Sequence, residues 1–235
     1  MKFCIVIPCY NHEETLASAV ASLPAGVDAV VVDDGSDTPV GAVGGAEVLR
    51  LEKNSGKAAA LRAGFARARS LGATHAISMD SDGQHPAEYL GKIMDAARAN
   101  PESIVVAVRD FDNPTVPAGR RFLNRFSNFW FRAETGKTLG DTQCGFRCYP
   151  LEVLEKLDLR LDGFAFEVEL LVKAAWAGTG FCEVPIPAIY TAQTLAKSHY
   201  KPFADTLKFS AMNTRLFFES VFLPKSVLKK IALKK

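Results

Sequence analysis

Along the first half of the chain, short apolar runs alternate with helix-length amphipathic segments. No other feature restricts the fold as much. Phe3 to Cys9 (FCIVIPC), Val27 to Val32, Val48 to Leu51, Thr74 to Met79 and Ile104 to Val108 read as strands. FCIVIPC is continuously apolar, as expected of a strand covered on both faces. Between the strands, Glu13 to Ser22 sets Leu16, Ala19, Val20 and Leu23 at helical spacing, and Ser55 to Leu71 does the same with Leu61, Phe65 and Ala68. A further helix runs from about Pro86 to Ala99, opening on a proline suited to a first turn. This order predicts an α/β fold with a mostly parallel sheet.

In such sheets ligands bind beyond the carboxyl ends of the strands. Asn11, Asp33, Asp34, Asp80, Asp82 and Arg109 all fall there. The densest cluster is MDSDGQH, Met79 to His85, where Asp80 and Asp82 lie two apart as strand gives way to loop, so that both carboxylates can face one side. With Gln84 they form a small set of hard oxygen donors, suited to Mg²⁺ or Mn²⁺ shared with substrate phosphates. A DxD pattern alone is more often a solvated turn; its place at the end of a buried strand favours the metal reading.

Other chemistries are disfavoured. Asn54-Ser55-Gly56-Lys57 opens a helix, where backbone amides and a lysine can hold phosphate, but the P-loop pattern fails on both sides of Gly56-Lys57. No G-x-G-x-x-G follows the first strand, and no G-x-S-x-G nucleophile elbow exists. Asp33 and Asp34 suit either ribose hydroxyls and a base N–H, or a turn held by Asx hydrogen bonds. The four histidines are scattered, and the five cysteines lack zinc or disulfide spacing, which fits a reducing cytoplasm. No secretory signal and no apolar stretch of about 20 residues is expected.

After Asp110 the alternation ends. Arg120 to Ala133 (RRFLNRFSNFWFRA) reads as an aromatic, basic helix, Gly140 to Tyr149 as irregular, Phe164 to Ala177 as helix, and Gly180 to Ile189 as a proline-containing edge strand. The net charge of +2 conceals a tail, from Lys197, with a net of +7. That tail is expected to form one or two amphipathic helices suited to an anionic membrane surface, with Phe203, Leu207, Phe209, Leu216, Phe217, Phe218 and Phe222 among basic residues. Packing on the body or on a dimer partner is the rival reading. The expected division is a catalytic domain at 1–195 and a basic helical extension at 196–235. An aromatic-basic stripe also suits RNA, but no RNA-binding motif accompanies it, so no nucleic-acid partner is expected.

Taken together, VIPCYNHEETL, VVVDDGSDT, NSGKAAALRAGF and MDSDGQHPAEYL resemble the nucleotide-sugar half of family 2 glycosyltransferases, which have the GT-A fold. GDTQCGFRCY and GFAFEVELLVKAAWAGTGFCEVPI resemble the dolichyl- or polyprenyl-phosphate sugar synthase branch. The resemblance implies a metal-dependent inverting transferase that uses a UDP- or GDP-sugar and a lipid-linked acceptor, peripheral on the cytoplasmic face of the membrane. Pro8, Tyr10 and Asp33 would line the base and ribose pocket, with Asn11, Asp34, Lys57 and Asp80 on the same donor. Asp80, Asp82 and Gln84 would hold the ion. Arg109 matches an acceptor-phosphate contact, one of Arg120, Arg121 or Arg125 a second, with Arg121 and Arg125, four apart on one helical face, preferred, and Asp141 an acid near the sugar. Two departures stand out: His12 where the family often has Glu, and no transmembrane helices in the tail. The rival acceptor is a sugar hydroxyl, for which Asp141 would act as general base. A nucleotidyltransferase and a non-catalytic nucleotide-sugar sensor are the other readings.

Overall fold

A computed structural model describes residues 1–114, 116–163, 165–189 and 202–234; the side chains of Glu13, Glu14 and residues 202–209 lie outside it. Seven strands form one sheet: β1 (Phe3–Cys9), β2 (Asp28–Asp33), β3 (Glu47–Arg50), β4 (His75–Ser78), β5 (Ile104–Arg109), β6 (Arg147–Pro150) and β7 (Phe181–Ile186). Their order is β3-β2-β1-β4-β6-β5-β7. All neighbours are parallel except β6, which runs antiparallel to both β4 and β5. From β1 the chain builds outward to β3 and then returns to place β4 on the other side of β1. That reversal opens a crevice between the ends of β1 and β4, where such sheets bind ligands.

Residue alternation along β1 explains why both faces are covered. Cys4 and Val6 point into one core, with Ala58, Leu61 and Phe65 of helix α2 (Lys57–Ser70). Phe3, Ile5, Ile7 and Cys9 point into the other, with Leu16 and Val20 of α1 (Glu13–Ala21) and Leu90 and Ile93 of α3 (Leu90–Ala99). A short 3₁₀ turn, Ala87–Tyr89, fills the first part of the segment expected to be one helix from Pro86. α2 lies so close to β1 that a Cβ on Gly64 would overlap Val6.

The second half adds α4 (Ala118–Thr135), α5 (Leu151–Lys156), α6 (Ala165–Ala177), α7 (Pro202–Phe222) and α8 (Lys225–Ala232). α6 is buried almost all round, between the sheet and the C-terminal helices. The expected boundary at 195/196, with Phe203, Leu207 and Phe209, lies outside the described residues or side chains. Beyond it, Met212 and Leu216 of α7 and Leu228 and Ala232 of α8 belong to the core that α2 and α6 share. Backbone bonds from Asp158 N to Ala232 O (2.9 Å) and Lys234 N to Lys156 O (2.8 Å) fasten the C-terminal end to the body. Among the described residues no helix is long and apolar enough to cross a membrane.

Glu134, on the buried face of α4, has neither carboxyl oxygen hydrogen-bonded, and burial pushes its pKa up to about 8. A carboxyl raised in the folded state binds its proton more tightly there than when unfolded. Stability should therefore fall as pH rises from about 4.5 to about 8, the window between the two values. Glu134→Gln is expected to flatten that slope and to raise stability near neutral pH by about 2 kcal/mol. Thermal melts of both proteins across that window provide the check.

Candidate active site

Asp80 leaves the end of β4 in the crevice beside β1. Its position is fixed from several sides. The backbone N–H of Asp80 donates to His85 Nδ1 (2.9 Å), and Lys57 Nζ, from the first residue of α2, lies 2.7 Å from Asp80 Oδ1. The same ammonium is 2.9 Å from Glu167 Oε2 on α6. Gly145 forms the floor: a Cβ there would come within 2.9 Å of both Asp80 Oδ2 and Lys57 Nζ and 3.2 Å of Glu167 Oε1. Any side chain at residue 145 would thus wedge the three charges apart. His85 is buried, stacks on Phe146 at 5.1 Å, and accepts at Nδ1, so its Nε2 carries the proton when neutral.

The electrostatics separate the two aspartates. Burial works to raise Asp80, but the Lys57 ammonium, helped by His85 and Arg109, brings it down to about 2. Burial and the neighbouring Asp80 charge push Asp82 up to about 6, although Gln84 N donates to its Oδ1 at 2.9 Å. Burial depresses His85 to about 4. Lys57 is held above its usual range, against burial, by Asp80 and Glu167. Two close carboxylates, one raised by its neighbour's charge, fit a divalent cation. Among the described residues no group of three or more His, Cys, Asp or Glu could hold one alone. The donor set is therefore hard and incomplete, and it fits Mg²⁺ or Mn²⁺ whose remaining positions are filled by substrate oxygens.

Arg109, at the end of β5, is clamped by Asp141: Nε donates to Oδ2 at 2.6 Å and Nη2 to Oδ1 at 3.1 Å. Asp141 is wholly buried and also accepts from Gln143 N (3.1 Å) and Cys144 N (3.0 Å). Asn124 and Asn128 of α4 donate to Gly140 O (3.2 and 2.7 Å), so α4 braces the loop that carries Asp141. Toward the N-terminal end of α4, Arg121 and Arg125 line a cavity of about 510 Å³ with Pro114, Val116, Pro117 and Phe122. Among the described residues neither arginine pairs with an acid of the Asp80 cluster.

The other expected donor residues hold loops. Burial would raise the fully buried Asp33, but hydrogen bonds from Ser36 N (2.9 Å), Val40 N (3.1 Å) and the Arg50 guanidinium hold it below the usual carboxylate range. Asp34 accepts from Ser55 N and Gly56 N, both at 2.8 Å. The amides expected to cradle phosphate at Asn54-Ser55-Gly56 are thus met by a carboxylate of the protein itself. Asn11, at φ +55°, joins the β1 and β2 loops through Ser36 Oγ (3.0 Å to its N) and Asp37 (3.0 Å from its Nδ2). Pro8 pairs with Val32 across β1 and β2, and Tyr10 follows β1, half-buried. Three residues of the cluster carry no role in the sequence reading: Glu167, Gly145 and His85. The available signal for Glu167 was an acid in a largely apolar helix that also carries Glu169 and Lys173.

Residues 4–158 match glycosyl transferase family 2. Polyprenol monophosphomannose synthase of Mycolicibacterium smegmatis is 31% identical over 212 residues, 83% of this chain and 79% of that protein. Undecaprenyl-phosphate mannosyltransferase of Micrococcus luteus is 28% identical over 203 residues, 79% of this chain and 83% of that protein. Glucosyl-3-phosphoglycerate synthase of Mycobacterium tuberculosis, solved with Mn²⁺, UDP and phosphoglyceric acid, superposes with a TM-score of 0.65 at 18% identity, covering 95% of this chain and 79% of that one. That likeness shows the GT-A fold. With the family match spanning more than half of its length and a relative at 31% identity across most of it, the chain belongs to glycosyl transferase family 2.

Proposed function

We propose that this glycosyltransferase moves a sugar, with inversion, from a UDP- or GDP-sugar to a prenyl phosphate presented by a membrane. The observation that carries the reading is the state of Asp141. A hydroxyl acceptor needs a base, yet this carboxylate is wholly buried and saturated by Arg109 and two backbone amides. A phosphate acceptor is already anionic and needs cations instead, which Arg109, Arg121 and Arg125 supply. The names of the two relatives above, one a polyprenol and one an undecaprenyl-phosphate enzyme, support the same acceptor class.

On the donor side, Pro8 and Tyr10 border the base and ribose pocket, with Asp33, Asn11 and Asp34 holding its loops. Asp80 and Asp82, with Gln84, would hold Mg²⁺ or Mn²⁺. When bound, the ion supplies Lewis-acid charge to the leaving diphosphate. Lys57 adds a fixed positive charge beside it. The bond between the anomeric carbon and the diphosphate oxygen breaks with its electron pair on the diphosphate. An oxygen of the acceptor phosphate, aligned by the arginines, bonds to the opposite face of that carbon. Five free cysteines fit a cytoplasmic placement, and the basic C-terminal helix α8 fits an anionic surface.

Arg121→Gln/Arg125→Gln should raise the KM for a prenyl phosphate by about tenfold or more, the worth of one or two charge-assisted hydrogen bonds. The donor KM should change by no more than about twofold. Steady-state kinetics varying each substrate in turn provide the check, and an unchanged acceptor KM would remove these arginines from the site.

A further inference from the structure

Among the described residues, five of the seven exposed large hydrophobic side chains, Phe122, Phe126, Phe129, Phe218 and Phe222, belong to a ladder of aromatic rings that crosses from α4 to α7. On α4, Phe122 stacks on Phe126 (6.2 Å between centroids), and Trp130 meets both Phe126 (6.1 Å) and Phe129 (5.6 Å). Trp130 then contacts Phe217 of α7 at 5.7 Å, and the series continues through Phe218 to Phe222. The outer rings face solvent: Phe129 is 62% exposed, Phe218 52% and Phe222 72%. Rings held in register along two helices form a ridge, not a set of isolated surface residues.

We infer that this α4/α7 ridge is the face that lies in the interface of an anionic lipid bilayer. The inference deepens the proposed function, because it names the surface from which a lipid-linked acceptor would enter. Charge selects the occupant. α4 carries four arginines, and its only acid, Glu134, is buried; on α7 the described acid Glu219 is paired with Arg215 at 2.9 Å. α8, following directly, exposes Lys225, Lys229 and Lys230 and carries no acid. A second copy of the chain would bring like charges together across the ridge, whereas anionic headgroups would neutralise them. Aromatic side chains are also the residues that favour the boundary between headgroups and acyl chains.

Continuity with the acceptor cavity is the second argument. Phe122 belongs both to the ladder and to the lining of the cavity that holds Arg121 and Arg125. A phosphate seated against those arginines would therefore lead its hydrocarbon chain out along the ridge. The α8 helix contributes lysines but not apolar anchors, since Leu228 and Ala232 pack inward. Attachment is thus apolar through α4 and α7 and electrostatic through α8.

The test is flotation with vesicles of phosphatidylcholine, alone or mixed about two to one with phosphatidylglycerol, in the absence of any acceptor. The wild type should partition onto the mixed vesicles. Phe129→Ser/Phe218→Ser/Phe222→Ser should lower that partition at least tenfold or so, while melting at the temperature of the wild type. Lys225→Gln/Lys229→Gln/Lys230→Gln should reduce binding to mixed vesicles only. With the wild-type chain, turnover of a vesicle-borne prenyl phosphate should exceed what the serine variant achieves, and the two should match on a short water-soluble prenyl phosphate. Unchanged flotation of the serine variant overturns the inference. So does wild-type self-association that the same substitutions abolish, which would make the ridge an interface between copies. Binding is read without substrate, so a chain that floats as expected but transfers to no prenyl phosphate refutes the function and not the surface.

Discussion

Asp80→Asn is expected to lower sugar transfer by about a thousandfold or more, the scale associated with losing a charge that orders and neutralises a leaving diphosphate. The substitution should leave the fold intact, because Lys57 keeps its second partner, Glu167, at 2.9 Å. Asp82→Asn should be as damaging to turnover and yet opposite in its effect on the protein without substrate. Asp80 sits near 2, so its charge stabilises the folded state above about 3.8, and that contribution is lost as pH falls through about 2. Asp82 is raised to about 6, so its charge opposes folding increasingly between about 3.8 and about 6. At neutral pH the apo melting temperature should therefore fall in Asp80→Asn and rise in Asp82→Asn. Differential scanning calorimetry without metal, alongside a transfer assay with Mn²⁺, reads both effects. Two variants equally inactive and moving stability in opposite directions would be hard to explain if either aspartate were merely part of a turn.

Asp141→Asn should be nearly as severe for a different reason. The asparagine would turn an N–H₂ toward the Arg109 donors and remove a buried charge that balances the guanidinium. Breaking such a pair by removing one partner costs about 3 kcal/mol of stability, and kcat/KM should fall about a hundredfold as Arg109 loses its orientation. The split between constants carries the meaning. If Asp141 positions Arg109, acceptor KM rises, Arg109→Lys has the same effect, and the double variant is no worse than either alone. If Asp141 is a general base, kcat falls with acceptor KM unchanged, and the two substitutions add.

Much of this could be read from the chain. β1 and the centres of β2 and β5 are continuous apolar runs because strands buried on both faces need no polar side chains, and β4 (HAIS) is buried throughout, so their ends, and the acids there, were visible. β6 was not. Its segment, read as irregular, carries Arg147 at the start of a fully buried strand, and only the fold shows that guanidinium donating to Thr142 O (2.8 Å) and Glu167 O (3.0 Å). Its antiparallel entry between β4 and β5 brings Gly145 beneath Asp80, a contact between residues distant in sequence. Glu167 was hidden for the same reason: its partner Lys57 is set by tertiary packing and not by local spacing. Asp33 and Asp34 were legible as site-edge acids, but not that their carboxylates would be filled by backbone amides and Arg50. The tail's helical character was plain. Its docking on α6 was not, since an amphipathic basic helix has the same pattern whether its apolar side meets protein or lipid.

The most direct measurement offers the chain a nucleoside diphosphate sugar, Mn²⁺, and either a prenyl phosphate or the matching prenyl alcohol, and follows label into the lipid phase. Transfer to the phosphate alone, abolished by chelation and by Asp80→Asn, is the predicted result. Transfer to the alcohol or to a sugar hydroxyl, with the phosphate ignored, would contradict it.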